Sequence, residues 1–261
     1  MANDLMERTD FKARWRRGDL QLGIFTRLTA PEAYETLALA GLDVIVIDVE
    51  HGSFDRESLS RCLFAARAGG LPALVRVPDA DFPTIQHAMG AGAGGIIVPH
   101  VADAEEMASV ARFVRTTGIE RAYAGAARIS QLRQIPWQNF RAQFLEQFIL
   151  IAQIDEPAGI AAARKIVNIE GIDAVFIGRI GLALAMEGEG QSSAAVDAAL
   201  EAVCQSCREH KLPIGMSLPD ETAAQRWRGQ GVNLFVVDSD HTVLLKGTRS
   251  RLTQFQDALD R

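Results

Sequence analysis

Short apolar runs alternate with amphipathic stretches along the whole chain, and their periods differ. The runs Leu22–Phe25, Val44–Ile47, Ala73–Val77, Gly95–Val98, Ile149–Ile154, Ala174–Ile177, Ile214–Leu218 and Leu234–Val237 have strand length and little polar alternation. That is the signature of strands buried on both faces, as in a parallel sheet covered by helices. Between them, Pro31–Ala40, Arg56–Ala68, Thr84–Met89, Ala104–Arg115, Ala158–Val167, Ala194–His210, Glu221–Arg228 and Val243–Leu259 follow the helical period. Successive parallel strands need such crossovers. Eight strand–helix units predict an α/β fold, a closed (β/α)8 TIM barrel, as one domain over residues 1–261. The competing doubly wound sheet lacks a G-x-G-x-x-G after the first strand.

Two segments interrupt this rhythm. A helix expected over Asp4–Arg17 precedes the first strand and is placed to plug the barrel floor. The stretch Gly118–Gln147 exceeds a usual connection and carries Arg128, Arg133, Trp137 and phenylalanines. A long insertion of this kind points to a functional or interfacial role.

Composition narrows the class. The 261 residues suit two small domains or one α/β barrel of about 250 residues. A net charge of −6 argues against nucleic-acid and membrane-surface partners. No run reaches the ~18 consecutive apolar residues of a membrane-spanning helix. The first ten residues are polar and acidic without an apolar signal core, and three cysteines cannot all pair, which together predict a reducing cytoplasmic setting. Cys204 and Cys207 form a C-x-x-C inside a helical pattern with no second cysteine pair, so packing is expected of them rather than zinc or redox chemistry.

Parallel barrel strands bring their carboxyl ends to one face, where such folds place their chemistry. The second run ends abruptly in Asp48-Val-Glu-His51. Histidine titrates near neutrality, which suits His51 to a general base. The other strand ends deliver Arg27, Arg76, His100, Gln153, Asp155, Gly178, Arg179, Ser217 and Asp238 with Asp240. The arginines suggest a pocket for an anionic ligand, because guanidinium forks match planar carboxylates. His100, following Val-Pro, is expected to cap the next helix.

On these residues the chain resembles the HpcH/HpaI family, the class II pyruvate-type aldolases. The resemblance rests on Ile47-Asp-Val-Glu-His-Gly52, Val75-Arg-Val-Pro78, Gly92-Ala-Gly-Gly-Ile-Ile-Val-Pro99, Gln153-Ile-Asp155 and Glu170-Gly-Ile-Asp-Ala-Val-Phe-Ile-Gly178. It implies a barrel that forms homo-oligomers, from dimer to hexamer, with the last helix packed on a neighbouring subunit. It also implies enolate chemistry on a 2-oxo acid such as pyruvate or oxaloacetate, bound to a divalent metal (Mg2+ or Mn2+). By the same resemblance His51 is the base and Arg76 stabilises the carbonyl or enolate oxygen. Gln153 contacts the oxo acid, and amides near Gly178 hold its carboxylate.

Three positions depart from the family pattern. Asp155 stands where the family's metal-binding glutamate is expected, and Gly181 where its second ligand, an aspartate, is expected. Gly90 takes the place of the acid that pairs with the histidine base. With Arg179 beside the lost ligand, these changes suggest a site that has exchanged its metal for arginine, with Arg76, Arg179 and Arg27 binding carboxylates. Three alternatives follow: an aldolase with its metal on Asp155, a metal-independent citrate synthase of siderophore type using oxaloacetate and acetyl-CoA, and a non-catalytic binding barrel.

Overall fold

The computed structural model describes residues 10–125, 128–129, 134–188, 190, 192–218 and 221–259. Of the expected features, Asp4–Thr9 of the opening helix and Arg133 lie outside the described residues. The opening helix α1 (Phe11–Arg17) leads into the first strand, and eight strands then close a barrel in sequence order. They are β1 (Gln21–Thr26), β2 (Val44–Asp48), β3 (Ala73–Arg76), β4 (Gly95–Val98), β5 (Ile149–Ile154), β6 (Ala174–Ile177), β7 (Ile214–Ser217) and β8 (Val232–Ser239). Every neighbouring pair is parallel, β8 with β1 included. Each apolar run is a strand because both of its faces are covered. The outer face meets helices, while Val44, Val46, Leu74, Ile97, Ile151, Phe176 and Leu234 fill the interior.

The helices between strands are α2 (Pro31–Ala38), α3 (Arg56–Ala68), α4 (Phe82–Ala91) and α5 (Ala104–Phe113). A single π-helical turn, Val114–Gly118, then joins α5 to α6 (Ile119–Ala124) and α7 (Trp137–Gln147). Next come α8 (Pro157–Ile166), α9 (Arg179–Gly188), α10 (Ser193–Glu209), α11 (Ala224–Gly229) and α12 (Asp240–Leu259). Cys204 and Cys207 are buried in α10, and burial pushes the Cys204 thiol up to about 12. Packing, not reactivity, is their use.

The floor is sealed as the pattern predicts. Phe11 and Trp15 of α1 join the interior cluster, and Trp15 exchanges hydrogen bonds with Asn233: its indole N–H donates at 2.9 Å and its carbonyl accepts at 2.7 Å. The described part of the long insertion packs as an aromatic ladder of Tyr123, Trp137, Phe140, Phe144 and Phe148. Its apolar rings thus serve the core rather than the strand-end face.

One buried carboxylate ties α1, the π-helical turn and the sheet together. Asp173, just before β6, meets Lys12 at 2.8 Å, Arg16 at 2.7 Å and the guanidinium of Arg115, and accepts the Leu150 N–H at 2.9 Å. Burial lowers the Lys12 pKa and Asp173 opposes that shift, so removing the acid strands the amine. Breaking a buried pair from one side leaves an uncompensated charge. Asp173→Ala is therefore expected to cost about 3–5 kcal/mol of stability in denaturant unfolding; a loss below about 1 kcal/mol, typical of an exposed pair, would contradict this role.

Candidate active site

The mouth at the strand ends is organised by Asp48, the last residue of β2, which has no solvent exposure. The β2–β3 register pairs it with Arg76, the last residue of β3, so the two side chains stand together. The Arg76 fork binds it twice, Nε to Oδ1 at 3.0 Å and Nη2 to Oδ2 at 2.8 Å. Arg27, following β1, adds Nε to Oδ2 at 2.8 Å, and the His51 backbone N–H reaches Oδ1 at 3.2 Å. Burial alone would raise the Asp48 pKa, but the two arginines and the amide outweigh it and hold the carboxyl below its usual range. The Arg27 segment is itself anchored: Asp240 Oδ2, at the start of α12, accepts the N–H groups of Arg27 and Leu28 at 2.9 Å each.

Arg76 is nearly buried. Its guanidinium lies 4.6 Å over the Phe25 ring, and that ring meets Phe176 edge-on, so an apolar bed underlies the charge. Its Nη2 is 2.9 Å from His51 Nδ1. A guanidinium can only donate, so Nδ1 accepts and the neutral ring carries its proton on Nε2, facing out. Asp48 Oδ1 and Glu50 Oε2 stand 3.5 and 3.6 Å from the same Nδ1. Gly90, where the sequence suggested a missing acidic partner, lies near the end of α4. Within this chain His51 therefore has acids beside it after all, and they come from its own strand end.

The second half of the mouth comes from β4 and β5. Gln153 Nε2 donates to Asp155 Oδ2 at 2.6 Å, and the His100 N–H donates to Asp155 Oδ1 at 3.2 Å. His100 Nδ1 lies 3.4 Å from Asp155 Oδ1 and 3.1 Å from Glu156 Oε1, while Nε2 is 2.8 Å from Glu50 Oε1. Burial lowers the His100 pKa, but Asp155, Glu50 and Glu156 outweigh it and the net shift is upward. Gly178 follows β6 against Asp155: a Cβ there would lie 2.5 Å from the Asp155 Cβ, so only glycine fits. A Cβ at Gly181 would lie 3.6 Å from Asp155 Cβ, an ordinary contact. Position 181 thus faces Asp155 with room for a side chain and bears none.

His51, Arg76, Arg27, Gln153, Asp155 and Gly178 come together here. Arg179 does not join them: its guanidinium turns to Asp197 of α10, 3.5 Å away, a carboxylate it shares with Arg226. One sequence expectation needs correction. His100 is a member of the site, not a cap, and its backbone takes a left-handed φ of 55° that presents the ring to the carboxylates. Glu156, adjacent to Asp155, joins the site as well and shares His100 with it. The acids outnumber the guanidinium groups at the mouth: four carboxylates (Asp48, Glu50, Asp155, Glu156) face Arg27 and Arg76.

That negative excess fits a divalent cation. Two groups, Asp48–Glu50–His51 and His100–Asp155–Glu156, each bring their own three ligand atoms within 4.8 Å of one another. Gln153 Oε1 is buried without a hydrogen-bond partner, as expected of an oxygen set aside for a cation or substrate. At the other side of the mouth, the Gly178 N–H donates to Ile154 O at 3.0 Å, so the first-turn amides of α9, which follow it, are the donors that the helix itself does not use.

Known proteins share this arrangement of barrel and sequence. The HpcH/HpaI aldolase/citrate lyase family pattern matches residues 21–246. A hydroxypyruvate/pyruvate aldolase of Roseovarius nubinhibens is 33% identical over 249 residues, covering 94% of this chain and 96% of its own. The crystal structure of an HpcH/HpaI aldolase/citrate lyase family protein from Burkholderia cenocepacia J2315 superimposes with a TM-score of 0.85 at 27% identity, over 95% of this chain and 99% of that one. The citrate synthase SbnG superimposes with a TM-score of 0.83 at 25% identity, over 96% and 98%. Among the described residues, no helix is long and apolar enough to cross a membrane. With its closed parallel barrel and its strand-end carboxylates, arginines and histidines, this chain belongs to the HpcH/HpaI aldolase/citrate lyase family, a family of enzymes.

Proposed function

We propose that the chain makes or breaks a carbon–carbon bond at the carbon adjacent to the keto group (the α-carbon) of a small 2-oxo acid, pyruvate or oxaloacetate, through an enolate. The observation that carries this reading is the Arg76–His51 pair. A nearly buried guanidinium, fixed by Asp48 and bedded on Phe25, stands 2.9 Å from an imidazole that faces the mouth. A preorganised cation stabilises an oxyanion as it forms, because no solvent must reorganise around it.

In the cleavage direction, a base removes the proton from the hydroxyl of the substrate carbon that becomes the carbonyl product. The carbon–carbon bond breaks, and its electron pair delocalises as the enolate of the 2-oxo acid. That enolate then takes a proton at carbon, which restores the keto group. His51 is assigned the proton transfers. While Arg76 donates to Nδ1, the neutral ring presents Nε2–H as a hydrogen-bond donor toward the mouth. In the other tautomer, reached by exchange of the ring proton with solvent, Nδ1–H donates to Asp48 or Glu50, and the guanidinium stays on Asp48 with an N–H free for the substrate oxygen. Nε2 is then the base, becoming imidazolium and so the acid that returns the proton. The first-turn amides of α9 suit the substrate carboxylate, with Gln153 beside it. Asp155, with His100 and Glu156 close by, is the place for a divalent cation, which when bound supplies Lewis-acid stabilisation of the enolate oxygen.

A second reading is favoured by Gly181. With one expected ligand absent, arginine alone could carry the oxyanion, in a metal-independent condensation of oxaloacetate with acetyl-CoA followed by thioester hydrolysis to citrate and coenzyme A. The exposed apolar residues Leu244, Leu252, Phe255 and Leu259 of α12 support the expectation that this helix packs on a neighbouring subunit.

His51→Ala is expected to lower kcat by about 10²–10⁴-fold with a much smaller change in KM; an unchanged kcat removes His51 from the chemistry. Treatment with a strong chelator should abolish pyruvate-releasing aldol cleavage if the first reading holds, whereas citrate formation that survives it, in metal-free protein, selects the second. Asp48 also sets an acid limit. Its folded pKa lies below the ordinary 3.8, so its stabilisation is complete above that value and is lost as pH falls through the depressed folded pKa. Asp48→Asn should therefore lower stability at neutral pH and flatten its fall below about pH 4. Parallel acid-unfolding curves for the two proteins would contradict that.

A further inference from the structure

We infer that His100 is itself a metal ligand, so that the cation site of this chain is a nitrogen–oxygen set of His100 Nδ1, Asp155 and Glu156 rather than one built from carboxylates alone. The inference rests on the reading of this mouth as an enolate site, and it names the ligand chemistry there.

The spacing carries the first part of the argument. Ligands about 2.0–2.1 Å from a metal and about 90–109° apart are separated by about 2.8–3.4 Å. His100 Nδ1 stands 3.1 Å from Glu156 Oε1 and 3.4 Å from Asp155 Oδ1. The far side of the ring supplies the second part. His100 Nε2 is 2.8 Å from Glu50 Oε1, so Nε2–H donates to that carboxylate and the Nδ1 lone pair turns toward the two acids. In the neutral ring these three lone-pair-bearing atoms repel one another unless a cation lies among them; in the protonated ring Nδ1–H takes that place, and a metal binds by displacing that proton. Metal-binding histidines are commonly oriented in this manner, by a carboxylate on the nitrogen that does not bind.

Two further observations point to the same place. Gln153, almost fully buried, has an unpartnered Oε1 while its Nε2 bonds Asp155, which leaves a polar atom in reserve beside the set. The φ of 55° at His100 is a conformation that few non-glycine residues adopt, and here it is what delivers the ring. Position 181, facing Asp155 without a side chain, leaves that approach to His100.

An imidazole nitrogen changes which metals bind best. Oxygen-only sites suit Mg2+, whereas imidazole favours Co2+, Ni2+ and Zn2+ along the usual order of affinities. The test is calorimetric titration of chelator-stripped full-length protein with Co2+ and with Mg2+, followed by competition between them. The wild type is expected to bind one Co2+ at least about tenfold more tightly than Mg2+. His100→Ala should weaken Co2+ by about 100-fold or more, since even outer partners of a ligand are worth about 10–100-fold, and should change Mg2+ far less. Glu50→Gln should weaken Co2+ by about tenfold through the freed ring. A wild type with no preference for Co2+, or a His100→Ala protein that binds Co2+ as tightly as the wild type, overturns the inference. The wild-type competition alone decides it should the variant not fold. Because metal binding is read without turnover, lost preference with retained aldol activity counts against this inference only. Retained preference without enolate chemistry counts against the functional reading only.

Discussion

Everything at the mouth of this barrel depends on keeping Asp48 ionised where water cannot reach it. A lone buried carboxylate would take up a proton. The two arginines and the His51 amide prevent this, and in doing so fix their own positions: Arg76 over Phe25, Arg27 against the end of β1, and His51 with Nδ1 turned inward. The ion pair is thus a means of geometry more than of stability. Buried pairs contribute little net free energy beyond what an apolar substitute would give, yet removing one member leaves the other exposed to the full desolvation cost.

The two halves of the mouth then divide the chemistry by charge. At the ends of β1 and β3, Arg27 and Arg76 supply the positive charge that suits an oxyanion. On β4 and β5, Asp155, Glu156 and Glu50 surround His100, a setting that suits a cation. Placed side by side, they can hold a 2-oxo acid with its negative oxygens between a guanidinium and a metal or imidazolium. Glu50 belongs to both halves, reaching Arg76 Nε at 3.1 Å and His100 Nε2 at 2.8 Å, so the two are mechanically linked.

The fold was legible in the sequence because burial on both faces writes itself as unbroken apolar runs: all of the strands recur where those runs stand, with ends shifted by a residue or two. Asp48, His51, Arg76 and Gln153 were legible for a related reason, since polar residues that end such runs must lie at the rim. What the pattern hid is direction. Nothing in Val-Pro-His announces a left-handed φ at His100, and the same side chain would cap a helix with an ordinary backbone. Arg179 misled in the opposite sense. Its place after β6 is that of a site residue, but Asp197 and Arg226, far along the chain, decide where its guanidinium goes. Such long-range pairing leaves no local trace.

The central claim is that this mouth forms an enolate. The most direct measurement is proton–deuterium exchange, followed by NMR in D2O, of the methyl group of pyruvate and, with oxaloacetate present, of acetyl-CoA. It needs no carbon–carbon bond partner for pyruvate and reads proton transfer at carbon alone. The wild-type protein should exchange the methyl protons of one of these substrates, and Arg76→Ala should slow that exchange by about 10²–10³-fold, the usual loss when one oxyanion donor is removed. Methyl groups that remain fully protonated with wild-type protein, or exchange that is indifferent to Arg76, would contradict the account.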